Sequence, residues 1–247
     1  MRRIGRVAEL WRYPVSSVGG QSLPQLDVSP TGIEGDRRFA LFDPASGLAA
    51  APEREPRWRP ALFLDAVRDE SALLPQLRFP DGETFWLDDA RLNHRLEAHF
   101  GFAARIGAYG GLDDGADMRF PIVSNRYAPA ALHLVTTASL RALAKAGSLP
   151  PIDHRRFRPS VLIETDEDDG FIENAWIGHE TTIGATVVTV TEPTRRCGLT
   201  IVAQPAVDEE PQVLRTIMRH NARNLGVYAT VQAPVTLSVG DPVYAGI

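Results

Sequence analysis

The chain carries a single cysteine, Cys197, set in the run Thr194-Arg195-Arg196-Cys197-Gly198. Adjacent arginines favour a thiolate, the form of cysteine that binds soft metals or attacks sulfur. A free cysteine is also often a small buried hydrophobe, and on this segment alone the two interpretations balance. The charged flanks and the loop position after Pro193 tilt the choice toward chemistry.

Three further segments offer groups for an anion. His154-Arg155-Arg156-Phe157-Arg158-Pro159 places three arginines beside a strand entrance, where guanidinium groups suit a phosphate. A cluster of this kind equally suits a solvated face. Asp36-Arg37-Arg38 has the same two meanings: Arg37 reaches an anion while Asp36 braces it, or the pair is an ordinary surface bridge. Thr136, Thr137 and Ser139 stand at a strand-to-helix junction, where hydroxyls and free N–H groups either receive an anion or simply cap the helix.

Other chemistries fit poorly. The six histidines show no zincin spacing, and no phosphate loop or Gly-x-Gly-x-x-Gly motif occurs. The one lysine, Lys145, falls on a helix face expected to be wet, which argues against pyridoxal phosphate. One cysteine excludes an internal disulfide, a four-thiolate zinc site and a self-contained iron–sulfur cluster. A net charge of −5 gives no basic field for nucleic acid. The opening residues MRRIGRVAELWRYPV contain no signal-peptide core, and no stretch is long enough to cross a bilayer. The expectation is a soluble cytoplasmic protein with neither a nucleic-acid nor a membrane partner.

The elements that must position these groups read mainly as strands. Residues 4–13 form a first strand stopped by Pro14, and residues 38–43 run into the turn 44–47 as a hairpin. Residues 77–79 and 84–87 flank Pro80-Asp81-Gly82 as another hairpin. Asp88 and Asp89 cap a helix carrying Leu92, Leu96 and Phe100 before Gly101. Turn-rich residues 110–129 mark a domain boundary, giving domains at 1–110 and 111–247. Residues 132–135 then make a strand and 137–147 a helix, followed by strands at 160–164 and 181–191, the latter split by Gly184. Pro211 starts a helix behind Asp208-Glu209-Glu210, with Val213, Leu214, Ile217 and Met218 as its buried stripe. Strands at 227–231 and 235–239 close the chain. The acidic run 166–169 reads as a solvated loop. Without βαβ alternation the fold class is mainly β with a few helices, barrel-like rather than doubly wound.

Taken in order, these segments resemble the MOSC family, named for the C-terminal domain of molybdenum-cofactor sulfurase. The likeness rests on Tyr13-Pro14-Val15-Ser16-Ser17, Gly35-Asp36-Arg37-Arg38-Phe39, Phe157-Arg158-Pro159, Trp176-Ile177-Gly178, Glu192-Pro193-Thr194-Arg195-Arg196-Cys197 and Val239-Gly240-Asp241-Pro242-Val243. The resemblance implies a MOSC-type β-barrel preceded by an N-terminal β-barrel-like domain, similar to bacterial relatives of the mitochondrial amidoxime-reducing component. It implies a molybdenum–molybdopterin cofactor with Cys197 as metal ligand. Cofactor contacts then fall on Ser17, Arg37, Thr136, Thr137, Ser139, Arg158, Ser160, Arg195 and Arg196. Ser16 stands where the amidoxime reducers carry lysine, and Ser160 where asparagine is common. The activity implied is reduction of N-hydroxylated compounds, with electrons from a separate flavin or iron–sulfur protein. The alternatives are a sulfur carrier holding a persulfide on Cys197 and a non-catalytic module that stores or delivers cofactor.

Overall fold

The computed structural model describes residues 1–69, 71–109, 119–124, 131–165 and 170–246. Seven strands close into a barrel. In ring order they are Arg2–Arg12, Val161–Thr165, Leu132–Thr136, Asn224–Val231, Thr186–Arg195, Glu180–Ile183 and Pro242–Ala245, which pairs back with Arg2–Arg12. Six of the seven pairings are antiparallel. Leu132–Thr136 and Val161–Thr165 run parallel, and the helix Thr137–Gly147 (here α2, after α1 at Leu92–Phe100) supplies the crossover that parallel neighbours need.

The closing strand comes from the start of the chain. Its register shifts between Arg3 and Gly5 and again between Val7 and Glu9, so Ile4, Val7 and Leu10 all face the core. Simple alternation would have turned one of them outward; the bulges correct this. At Gly5 the strands approach so closely that a Cβ would lie 1.8 Å from the Glu164 carbonyl oxygen. Only glycine fits there.

A second core lies in the N-terminal part. The hairpin of Phe39–Asp43 with Leu48–Ala49 joins Val15–Ser16, Arg105–Tyr109 and Ile122–Val123 in one sheet. A three-stranded sheet (Asp65–Val67, Gln76–Arg78, Thr84–Trp86) and α1 complete it. Trp58 is its largest buried side chain, meeting Phe100 and Phe102 edge-on at 5.2 and 4.8 Å. These apolar faces carry no chemistry.

Three details differ from the sequence expectation. Residues 235–239 do not extend the barrel: Val235–Ser238 pairs with Gln25–Ser29, and the last barrel strand is Pro242–Ala245. On the helix Pro211–His220 (α3) the buried stripe is Val213, Thr216 and Ile217, while Met218 is 55% exposed. One residue past Ile217 turns the side chain about 100° toward water. Asp89 accepts the Arg91 N–H at 2.9 Å, but α1 itself starts later, at an Arg91 cap without a side-chain bond. Glu210 does cap α3, accepting the Gln212 N–H at 2.9 Å. The proposed domain boundary and the acidic run 166–169 lie outside the described residues. Among the described residues no helix is long and apolar enough to cross a membrane.

Leu10 is fully buried in the barrel core. Leu10→Ala is expected to cost about 2–5 kcal/mol in urea unfolding, and a loss under about 1 kcal/mol would contradict its place in the closing strand.

Candidate functional site

The closing strand delivers Tyr13 to the rim between the two cores. Pro14 ends the strand, and the Arg37 N–H donates to the Tyr13 carbonyl at 2.7 Å. Asp36 accepts the Tyr13 N–H at 2.6 Å through one carboxylate oxygen and pairs with the Arg37 guanidinium through the other. Arg37 and Arg158 both hold left-handed backbone, with φ of 48° and 53°. Such conformations cost a non-glycine residue about 1–2 kcal/mol each, so surrounding contacts must hold both turns in place.

Both guanidinium groups lie over the Tyr13 ring, Arg158 at 4.1 Å and Arg37 at 5.1 Å from its centroid. Arg37 Nη2 also donates to the Arg158 carbonyl at 3.3 Å. Tyr13 and Arg158 are 3% and 8% exposed, and neither the Tyr13 hydroxyl nor Arg158 Nη2 has a hydrogen-bond partner. Burial pushes the Tyr13 phenol up, against the pull of both arginines, so it stays protonated. Burial, reinforced by the like charge of Arg37, brings Arg158 down to about 10, which leaves it charged at neutral pH.

Cys197 follows Arg196, whose charge interacts with that of Arg37. The strand Thr186–Arg195 ends with Arg195 exposed to solvent. Arg196 turns inward because its N–H donates to the Arg223 carbonyl at 2.9 Å, while Arg223 Nε returns a bond to the Arg196 carbonyl at 2.8 Å. Its guanidinium donates to the Phe157 carbonyl at 2.8 Å and to His133 Nε2 at 3.3 Å. Burial lowers Arg196; Tyr228 and Cys197 oppose that shift and Arg37 adds to it, so all three groups lie within electrostatic reach. Cys197 is a half-buried free thiol whose carbonyl accepts the Thr200 hydroxyl at 3.0 Å, which fixes the short turn Gly198–Ile201. Glu53 lies against Gly198, so the N-terminal part forms one wall beside the cysteine.

Most of the hydroxyl candidates lie apart from the arginines. Thr136 and Ser139 both donate to one oxygen of Glu173, at 2.8 and 2.5 Å, and Thr136 caps α2 by accepting the Ser139 N–H at 3.1 Å. Thr137 bonds the Thr165 hydroxyl at 3.1 Å. Ser17 donates to the Ala50 carbonyl at 3.1 Å. Ser160 does meet the cluster, accepting the His133 N–H at 3.3 Å and donating its own N–H to the His133 carbonyl at 2.9 Å. The structure therefore gathers Arg37, Arg158, Arg196, Ser160 and Cys197, and leaves Arg195 outside. Sequence reasoning assigned no role to Tyr13, His133 or Glu173. His133 carried a readable signal, a polar residue alone between Leu132 and Leu134 in an apolar strand.

A family model for the MOSC domain matches residues 98–244, and one for the MOSC N-terminal beta barrel domain matches residues 4–91. This chain belongs to the MOSC family. Its barrel is the MOSC domain's, closed by a strand from the N-terminal segment. The YUAD protein from Bacillus subtilis shares the fold at a TM-score of 0.50 and 12% identity, over 98% of this MOSC chain and 96% of that one. YiiM from Geobacillus stearothermophilus aligns over 48% of this chain and 55% of its own, at 14% identity and a TM-score of 0.36. No curated protein matches.

Glu173 is wholly buried, and burial raises its carboxyl above the usual 4.5 against the hydrogen bonds from Ser139 and Thr136. A carboxyl raised on folding holds its proton more tightly in the native state. The stability it confers is present below the unfolded value and lost as pH climbs through the folded one. Glu173→Gln is expected to gain melting temperature relative to wild type as pH rises from about 4 to about 7; a difference independent of pH would show that Glu173 does not ionise in this range.

Proposed function

We propose that this protein is a molybdenum-cofactor-dependent oxidoreductase that reduces N-hydroxylated small molecules in the cytoplasm. A separate flavin or iron–sulfur protein supplies the electrons. One observation carries this reading: the guanidinium groups of Arg37, Arg158 and Arg196 stand together, among the described residues only Arg37 of the three is salt-bridged to a carboxylate, and the lone thiol follows Arg196. Buried cations without partners are costly, and an anionic guest removes the cost.

The residues fit a phosphate-bearing pterin. Arg158 Nη2 and the Tyr13 hydroxyl are buried donors awaiting an acceptor, and Arg37 stands beside them. Among the described residues no three His, Cys, Asp or Glu side chains converge as a metal site. The free thiol suits a metal whose other ligands the cofactor brings, to which Cys197 would add one thiolate. When bound, the cofactor would supply a two-electron centre able to take the oxygen of an N–O bond. The overall reaction consumes two electrons and two protons, converting an N–OH group to N–H and water.

Within this scheme Arg37 and Arg158 would hold the cofactor's phosphate, with the Tyr13 ring packed against both guanidinium groups. Arg196, within electrostatic reach of Cys197, would offset cofactor charge. Thr200 keeps the cysteine turn from collapsing. Thr136 and Ser139 are bound to Glu173 and Thr137 to Thr165, so they serve the site by fixing the start of α2.

Wild-type protein is expected to carry molybdenum, and Cys197→Ser to lose it, by inductively coupled plasma mass spectrometry. Equal molybdenum in both would overturn the ligand assignment. Arg158→Ala should weaken cofactor retention roughly ten- to a hundredfold, the loss of one charge-assisted hydrogen bond. Molybdenum-loaded protein that reduces no hydroxylamine or amidoxime with an artificial donor would exclude the reductase. An extra sulfur atom on Cys197 in intact mass spectra would point to the carrier.

A further inference from the structure

Among the described residues His133 is the imidazole bonded to both Arg196 and the Arg158 carbonyl. It is 5% exposed, in the strand Leu132–Thr136, with its ring 5.5 Å from that of Tyr228 on the neighbouring strand. Across from it Gly226 holds φ at +81°, and a Cβ there would stand 2.7 Å from His133 Nε2. The barrel therefore keeps a glycine opposite the histidine, and the imidazole occupies the space.

Both ring nitrogens have partners. Nε2 faces Arg196 Nη1 at 3.3 Å, and Nδ1 faces the Arg158 carbonyl at 3.3 Å. Because a guanidinium only donates, Nε2 must accept; the ring proton then sits on Nδ1 and is donated to the carbonyl. That same carbonyl receives Arg37 Nη2. One imidazole thus links Arg196 through its side chain to the backbone of Arg158, and through the shared oxygen to Arg37. Burial, with the charge of Arg196, holds His133 well below the usual histidine range, against the Arg158 and Leu225 carbonyls. The neutral ring this gives is the form the two bonds require.

We propose that His133 is a positioning residue of the anion site: its imidazole sets where the Arg196 guanidinium and the left-handed Arg158 turn stand relative to each other. The inference rests on the reading of the arginine cluster as an anion site. A histidine serving only as filler would be replaceable by any ring of similar size. A positioning histidine requires an acceptor at the Nε2 location.

The test is calorimetric titration of inorganic phosphate into wild type, His133→Phe and His133→Gln. Glutamine can place an amide oxygen near the Nε2 position, while phenylalanine keeps the bulk and loses both bonds. Phosphate is expected to bind His133→Phe roughly tenfold more weakly than wild type, with His133→Gln recovering most of the loss. Nitrogen-15 spectra of the imidazole should show the proton on Nδ1 in wild type and a tautomer mixture in Arg196→Met. Phosphate bound equally by wild type and His133→Phe would overturn the positioning role alone. Equal weakening in Gln and Phe variants would reduce it to packing. A wild type blind to phosphate would sink the anion site itself. Should His133→Phe fail to fold, the Gln variant and the tautomer shift in Arg196→Met decide the matter.

Discussion

The gathering of three guanidinium groups, Arg158 buried and Arg37 and Arg196 half-buried, is the constraint on which the site depends. Arg37, Arg158 and Arg196 converge where the two cores meet, and Asp36 answers only Arg37 directly. Taking a cation out of water costs several kcal/mol even after relaxation. Carbonyls of Phe157 and Arg158, the Tyr13 ring and the His133 nitrogen offset part of that cost. The remainder is a standing demand for an anion. A fold that keeps such a cluster without a ligand retains it at the expense of its own stability.

The architecture shows how the cost is borne. A seven-stranded barrel with a buried, mainly aliphatic core supplies rigid strands, and its closing strand comes from the chain's first residues. That closure carries Tyr13 out of the barrel and sets it beneath two guanidinium groups. The left-handed turns at Arg37 and Arg158 are then held by bonds to Tyr13, Asp36, Arg155 and His133 rather than by glycine. Cys197 is placed by a different device, the paired bonds between Arg196 and Arg223 at the end of a barrel strand. Two unrelated local structures thus meet through Arg196, His133 and the Arg158 carbonyl, which ties the thiol's segment to the anion donors.

What the sequence revealed followed the range of the forces involved. Hairpins at Asp43 and Asp81-Gly82, the crossover helix after Thr136 and the Pro211 helix start are written in neighbouring residues, and they were legible. The ordered motifs also pointed to the family and to Cys197, Arg37 and Arg158. Illegible were the pairings between distant segments: strand Arg2–Arg12 closing a barrel made from residues beyond 130, and Gln25–Ser29 taking Val235–Ser238 away from it. Side-chain direction was equally hidden. Arg195 and Arg196 look alike in sequence, yet strand alternation and the Arg223 bonds turn one to water and the other inward. The hydroxyls at 136, 137 and 139 suggested an anion site, but a buried Glu173 more than thirty residues away engages two of them.

The most direct measurement is the melting temperature of cofactor-free protein against pyrophosphate concentration, for wild type and Arg158→Met. Methionine keeps the bulk and removes the charge. Without anion, Arg158→Met is expected to melt higher than wild type, because an uncompensated buried cation is gone; with anion, wild type should climb steadily with concentration while the variant stays flat. A wild type indifferent to pyrophosphate, or a variant that melts lower and still responds, would contradict the claim that these arginines await an anionic guest.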